Sequence, residues 1–242
     1  LFDDRLLNTP TIAVAQAKKL TDHMAELACQ SLKKAMSLLE KFDSKVADEI
    51  ADSEKEIDMY EDKLGTFLVK LSRESLSISD SHEVSNLLHT IGDFERMGDH
   101  AVNIYEVAAE INSKKLTFSP NAMSEIQTIS AAVTEILDMT AQAFIEENIE
   151  LAKKVEPLEQ LIDRLKKKMK SHHIKRLQSG ECTIETGFVF SDLVTNYERV
   201  ADHCSNVAVC LIQVSNDSFD THEYLNHVKA DGENDFEEKN QM

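Results

Sequence analysis

"DFERMGDHAVNI" at residues 93–104 and "NYERVADHCSNV" at residues 196–207 carry Glu-Arg, Asp-His and Asn at one spacing, displaced by 103 positions. A second pair lies upstream of each. "DSKVADEIADSEKEID" (43–58) aligns with "NIELAKKVEPLEQLID" (148–163) at a displacement of 105, matching Asp43 with Asn148 and Glu54-x-x-Ile57-Asp58 with Glu159-x-x-Ile162-Asp163. The two displacements differ by two residues, so the second copy has a slightly shorter connection. The chain reads as a duplicated unit.

Each unit is helical. Six Gly, three Pro and no Trp in 242 residues leave few turns, and the long stretches of Ala, Leu, Glu, Lys and Ile favour helix. Thr9-Pro10, Asp43 and Pro120 mark helix starts, and Gly180 marks an end. The pattern predicts six helices: to about residue 42, 43–73, 82–113, 120–147, 148–177 and 183–214, with a kink or short break at Pro157. The expected fold is all-α, two tandem three-helix bundles, residues 1–118 and 119–216. Residues 217–242, mostly polar and acidic, are expected to form a disordered tail.

On the third helix, taking Ile91 as zero at 100° per residue, Leu87, Phe94, Gly98, Ala101, Val102 and Tyr105 fall within about 80° and make the buried stripe. Glu95, Asp99 and Asn103 climb its shoulder at i, i+4, i+8. Glu198, Asp202 and Asn206 do the same on the sixth helix, and Glu54 with Asp58, and Glu159 with Asp163, do so on the second and fifth. His100 and His203 project to the opposite side, which points to a surface or interhelical role.

Like charges four residues apart beside a core need compensation. One compensator is Arg96 and Arg199 with the adjacent imidazoles. The other is a metal ion, which the excess of carboxylates over cations favours. Carboxylates and a carboxamide suit Mg²⁺, Mn²⁺, Ca²⁺ or iron, and Zn²⁺ less specifically. No histidine has Glu three residues before it, against a ferritin-like di-iron pattern. No Gly-rich phosphate loop, Ser/His/Asp order or HExxH is present. A non-enzyme is therefore expected, with a metal-dependent phosphohydrolase as the alternative from another class.

A net charge of −18 disfavours nucleic acid and, for the molecule as a whole, an anionic membrane. An exception is the segment from Arg164 to Arg176, with seven Lys or Arg plus His172 and His173. It is either a solvated face paired with acidic neighbours or a docking surface for lipid headgroups, phosphate or a transporter's cytoplasmic loops. Four cysteines without Cys-x-x-Cys spacing fit buried thiols in a reducing cytoplasm. No run of about 18 apolar residues is present.

The paired "ER-x-[GA]-DH-x-x-N" segments, each preceded by an "E-x-x-ID" helix, resemble the phosphate-uptake regulator family PhoU. The opening "DDRLLNTPTIAVAQ" and "FDTHEYL" (219–225) are similar to segments flanking the cytoplasmic PhoU-like domain of bacterial sodium/phosphate cotransporters. A start at Leu1 without methionine fits a piece of such a longer chain. The resemblance implies a non-enzymatic regulator at the inner face of the plasma membrane, partnered by the transmembrane part of a transporter or by a phosphate-transport complex. A free-standing PhoU-type regulator is the alternative, and a homo-oligomer is compatible with either. The resemblance also implies multinuclear iron or zinc clusters. Glu54, Asp58, Glu95, Asp99 and Asn103 would form one site, and Glu159, Asp163, Glu198, Asp202 and Asn206 the other. Glu61 and Asp62 of the first copy are replaced by Lys166 and Lys167, so the second site is expected to be weaker or empty.

Overall fold

The computed structural model describes residues 2–216; the expected tail and "FDTHEYL" lie outside the described residues. A short 3-10 turn (Asp4–Asn8) precedes α1 (Pro10–Ser37), α2 (Ser44–Ser72), α3 (Ile78–Lys114), α4 (Pro120–Glu146), α5 (Ile149–Ala152), α6 (Val155–Ser179) and α7 (Ile184–Asn216). No strand occurs among the described residues.

Local chemistry sets the boundaries. Asp43 accepts from the Lys45 amide at 2.9 Å to open α2, and Ser119 accepts from the Ala122 amide at 3.2 Å to open α4, where Pro120 sits in the first turn. α3 begins at Ile78 rather than at residue 82, because Ser77 in the Ser-rich stretch accepts from the Asp80 amide at 3.0 Å. α1 ends at Ser37, short of the expected residue 42. The fifth predicted helix breaks at Lys153–Lys154, so α6 starts anew and Pro157 lies in its first turn, where no internal carbonyl needs its missing N–H. Gly180 closes α6 at φ 78°, a conformation that costs a residue with a Cβ.

Helices α1, α2 and α3 pack into one bundle and α4, α6 and α7 into the other, with α5 seated against α4 and α7. The bundles share a broad seam in which α3 lies along α7 and α1 along α4. α1 has fully buried Ala13, Ala17, Ala25, Ala28 and Ala35, small side chains that let its neighbours approach closely. Phe94 of α3 meets Phe144 of α4 edge to face at 5.1 Å between ring centres, and Ser130 of α4 donates to the Tyr197 hydroxyl of α7 at 3.0 Å. Both phenylalanines and Tyr197 are fully buried.

Candidate metal centres and the seam between the repeats

Where α2 crosses α3, a Cβ on Gly98 would lie 3.1 Å from the Ile57 Cδ1. The missing side chain lets the two helices approach, and the acids flanking each residue meet beside the contact. A carboxylate oxygen from each of Glu54, Asp58 and Asp99 comes within 4.8 Å of the others. Glu95 joins them through a hydrogen bond with Asp99. Burial first, then that bond and the charges of Asp99, Asp58 and Glu61, push its carboxyl up to about 7. Burial and Asp58 also raise Glu54. None of Glu54, Asp58, Glu95 or Asp99 has an ion-pair partner among the described residues.

The second copy repeats the construction with buried Ile162 and Ala201 at the equivalent crossing. Glu159, Glu198 and Asp202 bring oxygens within 4.8 Å of one another. Burial, a shared proton with Asp202 and the charge of Glu156 push Glu159 up to about 8, while burial and Glu198 push Asp202 up to about 6. Lysines enter here: Lys166 Nζ lies 3.1 Å from Glu198 and Lys167 Nζ 3.0 Å from Asp163. Asp163 is thereby turned to Lys167 and stands outside the three-oxygen group. The donor chemistry at the first crossing, carboxylates raised by burial and by one another with no cation paired to them, fits a hard divalent or iron ion, whereas at the second Lys166 and Lys167 already supply part of that charge.

The two carboxamides lie elsewhere. Asn103 Nδ2 donates to Asn196 Oδ1 on α7 at 3.2 Å, and Asn206 Nδ2 reaches Asp93 Oδ1 on α3 at 3.4 Å. His100 and His203 are interhelical: the second bundle covers the side of α3 that its own bundle leaves open. His100 is buried, its Nδ1 2.9 Å from Asn196 Oδ1, and His203 Nδ1 is 3.0 Å from Asp93 Oδ1. Burial lowers the His100 pKa. Arg96 and Arg199 do not balance the acids, as the alternative reading required. Both are exposed, neither forms an ion pair among the described residues, and both line a cleft of about 600 Å³ at the seam, with Asp99, His100, Asn103, Asp202, His203 and Asn206.

Asp93 and Asn196 hold equivalent positions of the two copies, three residues before each arginine, so the repeat itself marks them in the sequence. Glu156 carried no such signal. It is buried on α6 and hydrogen-bonded by Ser205 of α7, next to Glu159. The basic segment is divided: Arg164, Lys167, Lys168 and Lys175 are exposed, while others are paired with acids or polar groups of the bundle. Besides Lys166 and Lys167, Arg176 is buried against Glu125 at 2.6 Å and Lys170 donates to Thr195 at 3.1 Å. All four cysteines are free; Cys29 and Cys204 are buried, Cys182 and Cys210 partly so. No described helix is long and apolar enough to cross a membrane.

Fold and sites together define a duplicated three-helix-bundle protein with a carboxylate group at the matching helix crossing of each copy. The family model "PhoU domain" matches twice, over residues 21–108 and 126–211, and the chain belongs to the PhoU family. It is 28% identical over 222 residues to a phosphate-specific transport system accessory protein PhoU homolog of Aquifex aeolicus, covering 90% of this chain and 96% of the relative. A PhoU homolog 1 of Thermotoga maritima is 23% identical, covering 87% and 90%. Crystal structures of PhoU from Pseudomonas aeruginosa and Streptococcus pneumoniae share the fold, with TM-scores of 0.79 and 0.76 at 20% and 17% identity, covering 86% of this chain and 99% and 98% of theirs.

Proposed function

We propose that the protein is a non-enzymatic accessory regulator of phosphate transport that works with a transport complex and binds divalent metal or iron at its two carboxylate groups. The supporting observation is the double family match, together with relatives covered almost end to end and described as accessory proteins of phosphate-specific transport systems. That coverage ranks the accessory-protein reading above the cotransporter-domain reading, in which the same bundle sits on a sodium/phosphate transporter.

The metal part rests on the carboxylates without cationic partners at the α2–α3 crossing. Elemental analysis of protein purified without chelator, beside the variant Asp58→Asn/Asp99→Asn/Asp163→Asn/Asp202→Asn, tests it. Metal in the wild type that is absent from the folded variant supports the reading. Equal content in both overturns it. Pull-down of the complex's cytoplasmic subunit by the protein tests the partner.

A further inference from the structure

The carboxylate groups use the Glu and Asp of the repeated motif and leave its histidines unexplained. His100 and His203 meet at the α3–α7 seam with ring centres 5.5 Å apart, one from each copy, and both line the cleft.

The hydrogen-bond network fixes their protons. Asn196 donates through Nδ2 to the Asp192 carbonyl at 2.9 Å, which turns its Oδ1 to the His100 Nδ1. A carboxamide oxygen only accepts, so His100 has its proton on Nδ1. The Asp93 carboxylate imposes the same tautomer on His203. The neutral rings therefore each hold a lone pair at Nε2. No hydrogen bond of either Nε2 occurs among the described residues, and both rings line the cleft.

We propose that His100 and His203 bind one divalent transition metal of the Zn²⁺, Co²⁺ or Cu²⁺ class through both Nε2 atoms, at the seam between the repeats. Imidazoles whose other nitrogen donates to a carboxylate or carbonyl oxygen have the arrangement of metal ligands. At a metal–nitrogen distance of about 2.0–2.1 Å each ring centre would lie about 3.2 Å from a shared ion, so two such rings reach at most about 6.4 Å apart, and the 5.5 Å separation lies within that reach. The cleft lining sets two carboxylates, Asp99 and Asp202, against the guanidinium groups of Arg96 and Arg199, so it carries no net positive charge that would repel a cation. No third His, Cys, Asp or Glu completes the set within 4.8 Å among the described residues, so solvent fills the other positions. Nitrogen ligation separates this site from the oxygen-rich crossings, which suit harder ions, and it does not depend on the metal reading above.

The test is Cu²⁺ titration followed by electron paramagnetic resonance, with Zn²⁺ calorimetry in parallel, both in excess Mg²⁺ to fill the carboxylate groups. One Cu²⁺ per chain with coupling to two imidazole nitrogens is expected. His100→Gln and His203→Gln each weaken binding at least tenfold and the double variant abolishes it, at unchanged circular dichroism. Asp93→Ala, which removes a positioning residue, lowers affinity about 10–100-fold. Asp58→Asn/Asp163→Asn leaves the nitrogen signal intact whether or not the carboxylate groups bind metal. All-oxygen ligation, no saturable binding, an unchanged signal in the double histidine variant, or its loss in Asp58→Asn/Asp163→Asn would each overturn the proposal.

Discussion

Glu159 is half-buried beside Asp202 and Glu156, and in the metal-free protein it keeps a proton to about pH 8. In the unfolded chain a glutamate ionises near about 4.3. Between those values the folded state binds more protons, so its stability is full below the lower value and is lost as pH rises through the upper one. Glu95, up at about 7, acts in the same direction. Metal-free protein is thus expected to melt lower as pH is raised from about 5 to 9, and a saturating divalent cation is expected to cancel the slope; thermal melts with chelator and with Mn²⁺ check both. Replacing Glu159 by Gln removes the ionisation and keeps the shape. It should raise the metal-free melting temperature by about 2–4 °C, the shift that about 1 kcal/mol gives a chain of this size, while lowering metal content. Lys166 and Lys167 set the two crossings apart, since they supply in the second copy the charge a cation would supply in the first. Lys166→Glu/Lys167→Asp restores the acids of the first copy, and calorimetry with Mn²⁺ is expected to show the second site strengthened at least tenfold, about 1.4 kcal/mol. Two sites of equal affinity in the wild type would remove the asymmetry.

Helices meet where a side chain is missing, and two glycines make opposite predictions. At Gly98 the obstacle to a Cβ is the far end of Ile57, 3.1 Å away, and the second copy already holds a buried Ala201 at the equivalent crossing. Gly98→Ala gains helix propensity of about 1 kcal/mol against a small shift of the isoleucine tip, so near-neutral stability is expected. At Gly187 the obstacle is the His173 ring, 2.6 Å from the new Cβ, and that ring is buried and packed on Phe190. Gly187→Ala is expected to cost about 1–3 kcal/mol by urea denaturation. At this scale much was legible in advance. Repeat spacing and cap residues place most helices, and the shoulder position of Glu54, Asp58, Glu159, Glu198 and Asp202 foretells that they meet. What periodicity could not show is what lies on the far side of a helix. His100 and His203 project away from their own bundle's stripe, and only the packing of α3 on α7 buries the one and half-buries the other, while Asn103 and Asn206 stay exposed at the rim of that seam. The rotation of Asp163 toward Lys167 is likewise a choice between two neighbours that a helical projection treats alike.

The seam governs the whole molecule, because each bundle leaves apolar surface that only the other covers. Phe94 belongs to the first copy yet packs on Phe144 of the second, whose ring also lies beneath the Lys18 ammonium of α1 at 4.5 Å. The Cys29 thiol lies 3.7 Å from the Leu137 carbonyl, across the α1–α4 contact. Fully burying a side chain of this class contributes about 1.5–3 kcal/mol, and several such groups sit on each side. Separating the bundles would forfeit that burial and expose His100 and Asn196 to water, so the halves should not unfold in turn. One cooperative transition is expected, with the calorimetric and van't Hoff enthalpies agreeing. Phe94→Ala should lower the stability of the entire protein by about 3–5 kcal/mol without splitting the transition. Two resolved transitions in wild type, or a Phe94→Ala protein in which one bundle melts early while the other keeps its midpoint, would show that the repeats are independent and the seam merely adjoining.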